Sequence, residues 1–575
     1  MNSPKKSFFK IIEKARSNKT VFIFNIYEAM TQKLLCARIS VISSDGESIN
    51  QRYKKVDGWW YDGHGEIDLS PGEYTVKAIC GFEYIGLHFK IKVKKKEKII
   101  VNIYLVRGIN MQELGWYCGE NHAHYYHVPQ GEDKREVKIS LQEVITIAKG
   151  EGLNYLHIDA LKDKNGKPIL KPQKITKDFI VGWNQELPDS QWYPALWSSP
   201  PNWALSFGHM WFIGIKDDKR FDFTDKPVCF EIQQWIHSKG GIAVFTHPSG
   251  WSLGWEGNPM QPVSNLAAEL PFDTVIGPTY DAIDVMTGSE SVMMDEQIWF
   301  CLLNMGYKIP GTATTDVAFN QFSTDPPGAM RTYSYIGKKR FSIKAVMESI
   351  KKGKNMITTG PLLFLSIDDC MVGDTLKVNN KKRKVKITAY IFGNPNEYLT
   401  LVQLIRNGRV IKAFNVENSK KEVFKKVFFL KENQNAWYIA KCYGVKTIAY
   451  TNPIYFERQS YKKPKKAMAN VKCKIYDNKN KAPLSGKIEI WDFDKKIREI
   501  EFLNGKVSFK VRPTCRVKVK IKGYKPKELS IFRDYKPLYN FIISMTPVKL
   551  ADPATYMKVR NFLNNVELNF DLERS

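Results

Sequence analysis

The sequence predicts a multidomain chain of α/β plus all-β character, with a central β/α barrel flanked by β-sandwich domains. Three observations predict it. Short alternating strands with turn signals fill the first and last stretches. Between about residues 113 and 360, apolar runs of strand length alternate with helical stretches, as parallel βα units require. The chain has 575 residues, too many for one core, so about three to five domains are expected.

Residues 1–112 read as an N-terminal β-sandwich. Val21-Phe22-Ile23-Phe24 is a short apolar strand, Pro71-Gly72 turns into the alternating stretch Glu73–Ala78, and Ile99–Leu105 alternates again. In the barrel region, 113–360, Ser140-Leu141-Gln142-Glu143 forms a capping box that opens a helix, and a strand over 153–158 follows. Asp225 is placed to cap a helix over 228–237, before a strand over 241–245. A helix over 292–303 leads to a strand over 308–314. Ser342 opens another helix, and the last strand covers 355–358. Residues 361–460 read as a β-sandwich packed after the barrel, and 461–550 as a C-terminal one. Lys462–Lys466 is the basic linker between them. In Val517-Lys518-Val519-Lys520-Ile521, lysine on one face and Val/Ile on the other mark a half-exposed strand. The tail, 551–575, is expected to form one helix from Asp552.

Composition narrows the function classes. Hydrophobic residues make up 43% and charged residues 25%, ordinary globular values, so most of the chain should fold. No apolar run is long enough to span a bilayer. The first twenty residues lack the apolar block of a signal peptide. The expected compartment is therefore cytoplasmic by default, or exported if a signal has been removed. Nine scattered cysteines, none in a CxxC pair, argue against a disulfide framework or a structural zinc site. The net charge of +28 gathers in the lysine runs Lys92–Lys98, Lys381–Lys386 and Lys462–Lys466. Such a field attracts anionic polymers or lipid. The runs lack interleaved aromatic residues of the kind that stack on bases, so nucleic acid is not indicated, and a solvated lysine-rich strand surface accounts for them.

The chemistry-bearing candidates sit at predicted strand ends. In His122-Ala123-His124, alternate residues on a strand point to one face, so both imidazoles can reach one metal. Val244-Phe245 runs into Thr246-His247-Pro248. The strand over 153–158 ends in Asp159, Ala282-Ile283 leads to Asp284, and the strand through Gly311 ends in Thr314-Thr315-Asp316. Barrel chemistry gathers at the C-terminal ends of strands. His209, in Phe207-Gly208-His209-Met210, is a further candidate. Zinc and manganese accept such mixed imidazole and carboxylate sets. Blander readings stand beside these: His127 a bystander, His157 a satisfied core residue, Asp284 a cap or a lysine partner, and Trp251 and Trp255 loop packing.

Over about residues 113–460 these motifs, in this order, resemble a PHP-type metal-dependent phosphoesterase domain, and more specifically the CehA/McbA family of metallohydrolases. Gly119–His124 is similar to the family's opening motif, with Glu120 in place of Asp, and Phe245–Pro248 to its apolar-strand-His-Pro motif. Ala282–Val285, Gly311–Asp316, Gly328–Tyr335 and Lys351–Leu362 resemble its later stretches. The flanking sandwiches resemble carboxypeptidase-regulatory-like or immunoglobulin-like modules in texture. The resemblance implies a distorted PHP-type barrel. It also implies a divalent metal, zinc or manganese, as one or two ions on His122, His124, His209, His247, Asp316 and Asp159. A metal-bound hydroxide would attack an ester, carbamate or phosphoester in a small-molecule or carbohydrate-linked substrate. Asp316 or Asp159 would orient the water, and Arg331 would steady an anionic substrate group. Glu120 is expected to support the site rather than ligate. Two family positions depart: Ile158-Asp159-Ala160 stands where TDH is usual, and Asp316-Val317-Ala318 where DxH is usual. A non-catalytic polymer-binding protein with a degenerate barrel is the alternative. A two-carboxylate glycoside hydrolase would have no need of the HxH pair.

Overall fold

The computed structural model describes residues 6–126, 135–159, 174–176, 179–186, 208–214, 228–250, 266–287, 292–417 and 422–575, with backbone alone at 159, 174–176, 179–186 and 292. The expectations for His127, Asp225, Trp251, Trp255 and the Asp159 side chain lie outside these residues.

The first stretch folds as expected of its alternation. One four-stranded sheet has the order Phe8–Arg16, Glu97–Leu105, Val21–Glu28, His64–Asp68. The other has the order Trp59–Asp62, Cys36–Ser43, Gly72–Ile79, Leu87–Val93. Tyr74, Val76 and Ala78 point inward to a core with Phe22, Phe24 and Val101, while the residues between them face out.

In the central region one long sheet runs in the order Gly311–Thr314, Ala282–Thr287, Ile242–Phe245, Met210–Ile213, Phe179–Glu186, Tyr155–Asp159, Trp116–Glu120, Arg331–Tyr335, Asn355–Thr358. The first three strands are mutually parallel, as are Phe179–Glu186, Tyr155–Asp159 and Trp116–Glu120. Met210–Ile213 lies between the two blocks, antiparallel to both neighbours. Both blocks therefore run the same way, and their C-terminal ends share one edge. Helices Leu141–Gly150, Cys229–Ser238, Val292–Asn304 and Ile343–Lys351 connect the strands. The Ser140–Glu143 capping box forms as the sequence predicts, and Ser342 caps the last of these helices.

The expected β/α barrel does not form. Among the described residues no ladder closes the sheet on itself, and two of its strands are antiparallel. The physical reason lies in Arg331–Tyr335. Trp116–Glu120 takes one edge of that strand and Asn355–Thr358 the other, so no backbone edge remains to close a ring. Gly311–Thr314 comes against it through a side chain instead: the Thr332 hydroxyl accepts from the Ala313 N–H at 2.8 Å and donates to its carbonyl at 3.0 Å. The sheet runs on past residue 360. Asn355–Thr358 pairs with Ile448–Thr451, and Ala436–Tyr443, Leu401–Arg406 and Arg409–Asn415 follow. These strands pack against a second sheet of Cys370–Met371, Leu362–Ile367, Asn379–Tyr390 and Val423–Glu432.

A three-stranded and a four-stranded sheet make up the last region. The tail adds more than the expected helix. Pro553–Leu563 is capped by Asp552, and the strand Val566–Leu572 then pairs parallel to Ala469–Asp477. This region docks on the central helices: Phe532 packs against Phe272 at 4.6 Å, and Arg533 pairs with Glu231 at 2.8 Å. No helix among the described residues is long and apolar enough to cross a membrane.

Candidate metal centre

The shared strand edge explains which side chains meet. His122 and His124 follow Trp116–Glu120, His247 follows Ile242–Phe245, and Asp316 follows Gly311–Thr314. Because Met210–Ile213 runs the opposite way, its start lies on that same edge, and Met210 pairs with Phe245. This brings His209 beside His247. A two-residue parallel ladder, Ala123 with Val317 and His124 with Ala318, then fixes the HxH segment against the Asp316 turn. The Val317 N–H donates to the His122 carbonyl at 3.2 Å, and the Phe319 N–H to the His124 carbonyl at 2.9 Å.

His247 and Asp316 both hold left-handed backbone, with φ of 28° and 60°. Non-glycine residues there carry strain of about 1–3 kcal/mol each and persist where the surrounding structure over-determines them.

Ring centroids of His122 lie 5.3 Å from His124, 5.5 Å from His209 and 5.9 Å from His247, and His209 is 5.0 Å from His247. The Asp316 Oδ1 sits 3.2 Å from His122 Nε2 and 3.1 Å from His124 Nε2. Two triads result, His122/His209/His247 and His122/His124/Asp316, with the donor atoms of each within 4.8 Å of one another. All four imidazoles are buried. Two donors bound at about 2.0–2.2 Å to one tetrahedral ion would sit about 3.3–3.6 Å apart. The donor set and its spacing therefore fit a divalent ion such as zinc or manganese. Burial by itself would raise the Asp316 carboxyl. The His122, His124 and His247 imidazoles around it outweigh that and hold it well below the usual carboxylate range.

Buried polar groups brace this cluster. His122 Nδ1 meets the Thr246 hydroxyl at 3.1 Å, and an acceptor there leaves Nε2 as the lone-pair nitrogen. The Glu120 carboxylate takes four backbone N–H donors: Asn121 and His122 at 3.0 Å, Thr315 at 3.0 Å and Gly328 at 2.9 Å. It thereby clamps the His122 segment to the residue before Asp316. Burial pushes its carboxyl up to about 6. Asp284 accepts from the Trp211 indole at 2.8 Å and from the Thr312 and Thr314 hydroxyls at 2.7 and 2.8 Å. It is a buried tie between strands. His157 bonds Asn121 at 2.9 Å, and burial drops its pKa to about 3, so it is a satisfied, neutral core residue.

His122, His124, His209, His247 and Asp316 thus come together. The backbone of Asp159 ends the strand beside Trp116–Glu120. Arg331 is placed otherwise. Its guanidinium is buried, donates to the Gly328 and Glu151 carbonyls, and stacks 3.8 Å over the Phe82 ring. The Phe82 stack joins the central sheet to the N-terminal sandwich, so the expected substrate-binding role gives way to a structural one. Sequence reasoning missed Thr246 as a partner of His122. Its place beside His247 at a strand end was the available signal.

No family model and no curated relative matches the chain. Among solved structures, it is similar to BcpA, the major pilin subunit of Bacillus cereus (9% identity, 97% of this chain and 100% of that one, TM-score 0.19). It is also similar to the CARDB domain of a Pyrococcus furiosus protein (16% identity, 17% of this chain and 95% of that one, TM-score 0.12). A third is a glycosyl hydrolase family 2 member from Bacteroides cellulosilyticus (10% identity, 91% and 78%, TM-score 0.16). Scores this low mark no shared fold.

Proposed function

We propose that the chain is a metal-dependent hydrolase acting on an ester, carbamate or phosphoester. The observation that carries this reading is the convergence of His122, His124, His209, His247 and Asp316 from separate strand ends into two donor triads that share His122. The order of motifs resembling the CehA/McbA metallohydrolases supports it, without the closed barrel. His122, His124 and Asp316 would hold one ion. His209 and His247 complete that sphere or anchor a second ion, because the one lone-pair nitrogen of His122 can serve only one of the two. When bound, such an ion supplies Lewis-acid polarisation of a substrate oxygen and acidification of water toward neutral pH. The protein contributes position and charge. Asp316, kept ionised among imidazoles, offers Oδ1 as an anionic donor and can accept a hydrogen bond from a bound water. Thr246 orients His122, and Glu120 fixes the distance between the two halves of the donor set.

The test is metal analysis of the purified full chain after chelation and reloading with zinc or manganese, with a rate screen over aryl esters, carbamates and phosphoesters. One or two retained equivalents, held more weakly in His122→Ala, and metal-dependent turnover are expected. A chain that retains neither ion and turns over nothing in the screen contradicts the reading.

A further inference from the structure

One surface lies outside this reading. The strands Leu362–Ile367, Asn379–Tyr390 and Val423–Glu432 form consecutive members of one sheet. Alternation sends Val385, Ile387 and Ala389 into the sandwich core and Lys384, Lys386 and Tyr390 outward. Register aligns Phe364 with Thr388 and Lys425, Ser366 with Lys386 and Val427, Lys384 with Phe429, and Lys382 with Lys431. The outward positions therefore present lysines 382, 384, 386, 425 and 431, all exposed, and no carboxylate.

Of the acids that flank the face, Asp368 pairs with Arg383 at 2.8 Å, Glu432 is buried against Arg406 at 2.6 Å, and Glu422 lies exposed just before Val423. Apolar groups stand exposed among the lysines, Val427 at 48% and Phe429 at 54%. The Lys382 ammonium lies 4.8 Å from the Phe429 ring, and Lys425 lies 5.8 Å from that of Tyr390. At one end of the face opens a cavity of about 330 Å³, where Tyr335, Phe364 and Tyr390 stand with Ser366, Thr388 and Lys386. That volume suits a small ring-sized ligand. Trp116, at its wall, begins the strand whose other end leads to His122, so this cavity and the metal donors lie at opposite ends of that strand.

We propose that this face binds an acidic polysaccharide. Lysines on one face of a strand repeat about every 6.8 Å, so they can meet successive carboxylate or sulfate groups of an extended chain. The aromatic cavity takes one sugar ring, with ring faces on its apolar side and hydroxyl groups of Ser366 and Thr388 beside it. A single-stranded nucleic acid fits less well. It calls for a row of successive aromatic platforms, whereas here Phe429 stands alone among the lysines and Tyr335, Phe364 and Tyr390 gather in the cavity. The proposal stands independently of the metal centre.

The experiment measures binding of the folded full chain to polygalacturonate and to heparin, with neutral dextran and a thymidine 30-mer as comparisons. The double variant Lys384→Glu/Lys386→Glu should lower affinity for at least one acidic glycan by about tenfold or more. Lys92→Glu/Lys94→Glu, an equal charge change on the exposed face of another sandwich, should leave it within about twofold. Tyr390→Leu should weaken glycan binding by about fivefold while metal content stays unchanged. Equal loss in both double variants would show a general effect of net charge and overturn the proposal. So would unchanged binding in Lys384→Glu/Lys386→Glu. Tighter binding of the thymidine 30-mer than of either glycan, abolished by the same variant, would make the face a nucleic-acid surface instead.

Discussion

Replacing Glu120 by Gln tests how the two halves of the donor set are held together. The carboxylate accepts from Asn121 and His122 on one oxygen and from Thr315 and Gly328 on the other. An amide keeps one oxygen and turns an NH₂ group toward the other two N–H donors. Two buried donors then lose their acceptor, at about 1–3 kcal/mol each. Against this, the amide removes a buried charge. Burial raises the Glu120 carboxyl from 4.5 to about 6, so that relief is worth about 2 kcal/mol. The balance is a net loss of about 0–4 kcal/mol of stability. The geometric effect should be larger than the energetic one. Thr315 precedes Asp316, so its displacement moves the carboxylate away from His122 and His124, and metal affinity should fall about 10–100-fold. Urea unfolding of the metal-free chain and chelator competition with the loaded chain read the two effects separately. A Glu120→Gln chain with wild-type affinity for zinc and manganese would refute the clamp, whatever its stability.

His157 is neutral in the folded chain, because burial lowers its pKa from 6.5 to about 3, whereas the unfolded chain protonates near 6.5. The unfolded state therefore binds more protons between those values, and stability falls with pH below about 6.5, by up to about 1.4 kcal/mol per unit. His157→Gln should lack this part of the acid slope, measured as the change in urea midpoint between pH 7 and pH 5; an unchanged slope would show that His157 charges in the folded state. Arg331→Met should destabilise by about 3–5 kcal/mol, because it removes a buried guanidinium and leaves its partners unpaired. Metal content should not change. Loss of metal-dependent turnover with the fold intact would instead restore a substrate-binding role for Arg331.

The sequence made the site more legible than the fold. His122 and His124 share strand parity, and His247 and Asp316 stand directly after apolar runs, so local pattern alone put each at a strand end. The capping box at Ser140 and the cap at Ser342 were legible for the same reason. Strand direction was not. An apolar run such as Met210–Ile213 reads the same whether it runs with or against its neighbours, and its reversal is what brings His209 to the site. Nothing local in Arg331–Tyr335 shows that both its edges are filled, which leaves the sheet open. Val566–Leu572 does alternate, with Val, Leu and Phe inward and Glu, Asn and Asp between them, and that signal was available in the tail. The basic face was hidden for another reason. Its aromatic residues adjoin the lysines across strands rather than along the sequence.

X-ray absorption at the zinc edge of the loaded full chain tests the metal centre most directly. The account predicts a first shell of nitrogen and oxygen at about 2.0–2.2 Å, with outer-shell scattering from several imidazoles that weakens in His122→Ala, the residue common to both triads. A sulfur-dominated shell near 2.3 Å, or an imidazole pattern unchanged by His122→Ala, would place the ion elsewhere and contradict it.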